Sequence, residues 1–164
     1  MNSKQIKQTK QVSHSFRLHV LIALTFILLG QFGYSKSLEN VDRAGVGIKG
    51  YDPVAYFTDN MPILGVSQFQ STFDGVIYHF NSAAHKEAFD ANPGKYAPQF
   101  GGFCAYGVSK GSTVSIDPVA FQIVDGRLLL QYSTGIRETF NKDSAGNLKK
   151  ADANWILLLE KKGK

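Results

Sequence analysis

A single cysteine, Cys104, stands in a chain of 164 residues. One thiol excludes every intramolecular disulfide, so stability must come from a packed core. The chain also lacks paired carboxylates at a useful spacing, a phosphate-binding loop, a serine-centred nucleophile motif and a His-x-x-x-His pair. These absences argue against a hydrolase or a nucleotide enzyme, and the chain is read as no enzyme. Asp52, Asp74, Asp117 and Asp125 each adjoin Pro or Gly, where turn formation explains them. No apolar run is long enough to cross a membrane. The longest, Val20 to Leu29, is about half of the roughly 20 residues a spanning helix needs.

Acidic residues are missing from the first 35 positions, which carry Lys4, Lys7, Lys10 and Arg17. The formal charge is +5, from 18 basic and 13 acidic residues; without those four cations 14 bases face 13 acids, a net of +1. No basic face remains, so nucleic acid is excluded as a partner. Cations, then an apolar run, then the small residues Gly33 and Ser35 make the build of a secretory signal. Residues 1–35 are expected to be a signal peptide cleaved before Lys36. The remainder is then exported, periplasmic or extracellular, with no stable membrane span. No cysteine follows the run to carry a lipid anchor.

Residues 36–46 are polar and aperiodic and read as a linker. Val54 to Thr58 reads as a short strand after the Gly50–Pro53 turn. Ser67 to Phe73 and Val76 to Phe80 flank Asp74-Gly75, and Val119 to Val124 and Arg127 to Tyr132 flank Asp125-Gly126, giving two β-hairpins. Asn81 or Ser82 caps a helix through Asp90, with Ala84, His85, Ala88 and Phe89 on one face. Thr134 to Phe140 and Leu148 to Leu158 are helices, with Trp155 on the core, and residues 159–164 form a tail. Asp-Pro-Val-Ala occurs at Asp52 and again at Asp117, an echo too short to establish a duplication. The expected fold class is α+β, a small single domain at 47–158 with two β-hairpins and short helices.

Cys104 lies in the stretch Gln99 to Gly111, among Gly101, Gly102, Gly107 and Gly111 and beside Phe103 and Tyr106. A thiol there is either an apolar plug or the reason for the loop. GYDPVAYF from Gly50, YHFNSAAHKEAFDANPGKYAP from Tyr78 and GGFCAYGVSKG from Gly101 closely resemble the YHS domain family. The second hairpin and ADANW from Ala151 are similar to the extension of its exported single-domain branch, so the resemblance covers about residues 47 to 157. It implies a small α+β module, and in some members heavy-metal handling such as copper transport or mercury resistance. In metal-binding versions two cysteines fall on Asn81 and His85 of this chain. An amide replaces one thiolate and an imidazole the other, which leaves Cys104 as the only thiolate.

Three functions follow. In the first, Cys104 with His85 and His79 holds a soft transition metal, copper above all, for capture or hand-off. Its structural requirement is that the sulfur and an imidazole nitrogen come within about 4 Å. The opposing view makes His85 a hydrogen-bonded core residue and His79 a solvent-facing one, opposite Tyr78 and Phe80 on its strand. In the second, Cys104 is structural and the domain is a non-catalytic module for an envelope protein or a small ligand. A thiol redox role ranks last, for want of a resolving cysteine.

Overall fold

Two Asp-Gly pairs fold the chain back on itself. Asp74 (φ 49°) with Gly75 (φ 80°), and Asp125 (φ 51°) with Gly126 (φ 73°), take the paired left-handed conformation that matches hairpin twist. The first joins β1 (Val66–Phe73) to β2 (Val76–Phe80), and the second joins β3 (Asp117–Val124) to β4 (Arg127–Gln131). Each hairpin is its own two-stranded antiparallel sheet. Six α-helices occur among the described residues: α1 (Ala55–Thr58), α2 (Ala83–Ala91), α3 (Pro93–Tyr96), α4 (Ala105–Ser109), α5 (Thr134–Asn141) and α6 (Ser144–Lys162). The result is a small α+β domain. This computed structural model describes residues 38–162. The segment read as a signal peptide, residues 1–35, lies outside the described residues.

The core has two parts that share β4. Leu128 and Leu130 join Val76, Tyr78, Phe80 and Phe89 in one cluster, while Leu129 joins Phe100, Val108, Phe140 and Ala151 in the other. β4 is therefore covered on both faces, which is why Arg-Leu-Leu-Leu-Gln does not alternate. β2 does alternate: Val76, Tyr78 and Phe80 are buried, Ile77 and His79 half-buried.

The second half repeats the first, hydrogen bond by hydrogen bond. A 3-10 turn opens each, Ile48–Gly50 and Phe100–Gly102. The Gly47 amide donates to Ile77 and the Gln99 amide to Leu128; the Asp52 amide donates to Ile63 and the Cys104 amide to Val114. A short helix follows, α1 or α4. The hairpins then run in the same register with the same irregularity, Val66 opposite Phe80 then Gln70 opposite His79, and Asp117 opposite Gln131 then Phe121 opposite Leu130. Ser82 accepts from the His85 amide as cap of α2, and Ser133 from that of Ile136 as cap of α5. Each helix buries one phenylalanine, Phe89 or Phe140. In this alignment Asp52 answers to Cys104 and Val66 to Asp117. The two Asp-Pro-Val-Ala peptides are thus not the equivalent segments: the first opens a helix and the second a strand.

Several expectations need correction. Val54 to Thr58 is not a strand, because Asp52 and Pro53 start a helical turn there. Residues 40–46 are no loose linker: Asn40 bonds Gly101 and Gly102, and Asp42 Oδ1 accepts from Ala44 and Val46. The last helix continues through Lys162, taking in part of the expected tail. Ala84, assigned to the inner face of α2, is exposed. Gly101 (φ 56°) packs so tightly on the Leu38 carbonyl that no Cβ fits.

Candidate functional site

Asp52 is fully buried, and its carboxylate is surrounded by donors. One oxygen, Oδ1, accepts from the Val54 amide (2.8 Å) and the Ala55 amide (3.3 Å), starting α1 beyond a proline that has no N–H to satisfy. The other, Oδ2, accepts from the Asn81 amide at 2.9 Å and lies 2.7 Å from His85 Nδ1. A buried carboxylate without partners would be costly, and these four charge-assisted contacts offset that cost. Because a carboxylate only accepts, the His85 Nδ1 nitrogen is the donor of this contact.

The other ring nitrogen, Nε2, faces a small polar group at the end of α1. Nε2 lies 3.4 Å from Thr58 Oγ1 and 3.7 Å from Asp59 Oδ2. The Thr58 hydroxyl is 2.7 Å from the same Asp59 oxygen. The His85 side chain is 18% exposed and that of Asp59 39%, so the Nε2 edge is reachable while the Nδ1 edge is sealed. Placement comes from capping at both ends: Ser82 fixes the first turn of α2, and Asp52 fixes α1. The arrangement presents one oriented imidazole nitrogen and one carboxylate oxygen at a separation two ligands of a single ion could share. It is the carboxylate–imidazole pairing that tunes many metal-binding histidines.

Cys104 occupies a different environment. It is 1% exposed and caps α4. Its thiol donates to Gln131 Oε1 (3.3 Å), and the sulfur accepts from the Gly107 amide (3.4 Å) and the Tyr132 amide (3.3 Å). Gln131, itself fully buried, also accepts from the Tyr106 amide (3.0 Å). His79 is half-buried on β2 opposite Gln70 and lies against Gly50. The polar partners of Cys104 and of His85 have no residue in common. Among the described residues, no group of three or more His, Cys, Asp or Glu is arranged to hold a metal ion. The Cys104–His85–His79 set is therefore not brought together: strand register places His79 on one sheet, capping ties His85 to Asp52, and the sulfur is spent on backbone amides and a glutamine.

Tyr56 and Tyr78 belong to the core. Tyr56 donates to the Pro118 carbonyl at 3.1 Å, and burial holds its hydroxyl far above the ordinary tyrosine range, as it does for Tyr78. Asp52 escaped sequence reading because Asp-Pro suffices to make a turn. The signal was the helix that the same pair also starts, which needs a cap. Thr58 and Asp59 carried no motif of their own.

Residues 54–100 match the family model described as YHS domain. The match is narrower than the resemblance read from the sequence: it covers α1 to α3, ends inside the second 3-10 turn, and leaves Cys104 outside. No curated protein and no solved structure matches the chain.

Proposed function

We propose that this protein, which carries a YHS domain over residues 54–100, is an exported, non-catalytic binder of a transition-metal ion, with His85 rather than Cys104 as the principal ligand. The observation that carries this reading is the 2.7 Å contact between His85 Nδ1 and buried Asp52, which leaves Nε2 aimed at Asp59. Nitrogen and carboxylate donors without a thiolate suit copper(II), nickel or zinc better than copper(I). The ion is cargo here, and two protein ligands at a reachable edge suit capture and hand-off. Asp52 acts as the positioning residue, holding the tautomer and the ring plane. Export rests on the basic, then apolar, leader.

Titration of the purified protein with copper(II) or zinc, followed calorimetrically, tests the reading. His85→Ala is expected to abolish binding, and Asp52→Asn to weaken it by about 10- to 100-fold as loss of an orienting partner does. Cys104→Ser is expected to leave affinity unchanged. Equal affinity of wild type and His85→Ala overturns the proposal, and loss of binding in Cys104→Ser restores the thiolate reading. A second reading, an interaction module with a structural cysteine, is favoured by the burial and hydrogen bonding of Cys104. It predicts no ion uptake by wild type and slow alkylation of the native thiol.

A further inference from the structure

Helix α6 has two unlike faces. The inner one carries Leu148 and Ala151, buried, and Trp155 and Leu158, partly buried, against Phe100, Ala105 and Phe140. Asn154 fixes the rotation of the helix by donating to the carbonyls of Val108 and Ser109, both at 3.1 Å. The outer face therefore cannot roll inward. It presents Ile156 at 59% exposure and Leu157 at 60%, with exposed Ala153 beside them. Exposed Lys149 stands at one end of this line and exposed Glu160 at the other. Among the described residues neither has an ion-pair partner.

We propose that this face pairs with the same face of a second copy, α6 antiparallel to α6. A twofold axis crossing the helix between positions 154 and 155 sets Lys149 opposite Glu160 of the second copy, and Glu160 opposite its Lys149. It also sets small Ala153 opposite large Ile156, twice. An apolar patch bounded by opposite charges at its two ends is complementary to itself only in this antiparallel arrangement, which is the isologous contact of a twofold dimer. Single exposed apolar residues need no explanation, but a rotationally locked pair of them flanked in this way does.

Sedimentation equilibrium of the purified protein across a concentration series, with circular dichroism to check folding, tests the inference. Wild type is expected to be a concentration-dependent dimer, and Leu157→Glu a folded monomer, because the substituted position is exposed. Lys149→Glu is expected to weaken association about threefold, as a surface ion pair of this kind allows. Lys149→Glu with Glu160→Lys is expected to recover it. A wild type that is monomeric at every concentration overturns the inference. So does a dimer unaffected by Leu157→Glu, or a monomer whose α6 face instead binds anionic phospholipid vesicles.

Discussion

The first half of the domain, from the Ile48 turn to α2, and the second, from the Phe100 turn to α5, share one hydrogen-bond scheme and diverge in what fills it. The sharpest divergence is at Asp52 and Cys104. Each caps a short helix, and each accepts from the backbone amide just after the hairpin, Asn81 in one case and Tyr132 in the other. The scheme needs an acceptor at that point, and either a carboxylate or a sulfur satisfies it. Asp52 Oδ2 takes the Asn81 amide and His85 Nδ1 together, and the counterpart of His85 in the second half is Ile136. Cys104 has nothing left over. One framework thus yields a reachable, oriented imidazole in one half and a sealed thiol in the other.

Phe89→Ala and Phe140→Ala should be the most damaging changes, each costing about 3–5 kcal/mol as large-to-small substitutions at sealed positions do. Because β4 belongs to both clusters, urea unfolding followed by circular dichroism and by tryptophan fluorescence should give one coincident transition in each variant. Two separate transitions would show the halves to be independent and break the comparison. Next comes the acceptor position. Asp52→Ala orphans buried amides and the imidazole together, for about 3 kcal/mol. Cys104→Ala loses only weak sulfur contacts, for about 1 kcal/mol. Equal losses in the same denaturation experiment would mean that the thiol contributes as much as the carboxylate.

The caps should behave alike. Ser82→Ala and Ser133→Ala are each expected to cost about 1 kcal/mol, and a clear inequality would expose a difference that the shared geometry hides. The smallest effect belongs to the first half alone. Asp90 accepts from Lys86 (2.6 Å) and Ser71 (2.5 Å), and chiefly the Lys86 hydrogen bond lowers its pKa below the ordinary aspartate value of 3.8. Its folded-state pKa is depressed, so the stabilisation is present above the unfolded pKa and is lost as pH falls through the folded one. The group is almost fully exposed, which limits the effect to a few tenths of a kcal/mol. Asn141, its counterpart, cannot titrate. Chemical denaturation of Asp90→Asn below pH 4 should show a flatter acid limb than wild type.

Much of the fold was legible because it is written locally. Asp-Gly turns, the Ser82 cap and the alternation of β2 each depend on residues close in sequence. The first α1 reading failed because Val-Ala-Tyr-Phe-Thr has strand composition, and only a buried cap acceptor turns it helical. The repeat was hidden for a related reason. Its halves share backbone geometry and few side chains, while the peptide that does recur, Asp-Pro-Val-Ala, fills non-equivalent places. The candidate site was half legible: His85 could be singled out, but its carboxylate partners could not.

From the chain alone came the single thiol, the absence of a membrane-length apolar run, the two hairpin turns and the resemblance to the YHS domain, whose family model matches residues 54–100. All are properties of composition or of short-range conformational preference. Tertiary structure alone decided which side chain is sealed and which keeps an exposed edge. Whether a sulfur is exposed, or an imidazole is gripped at one nitrogen and open at the other, depends on groups brought together from distant positions, Asp52 to His85 and Cys104 to Gln131. No local preference encodes those distances.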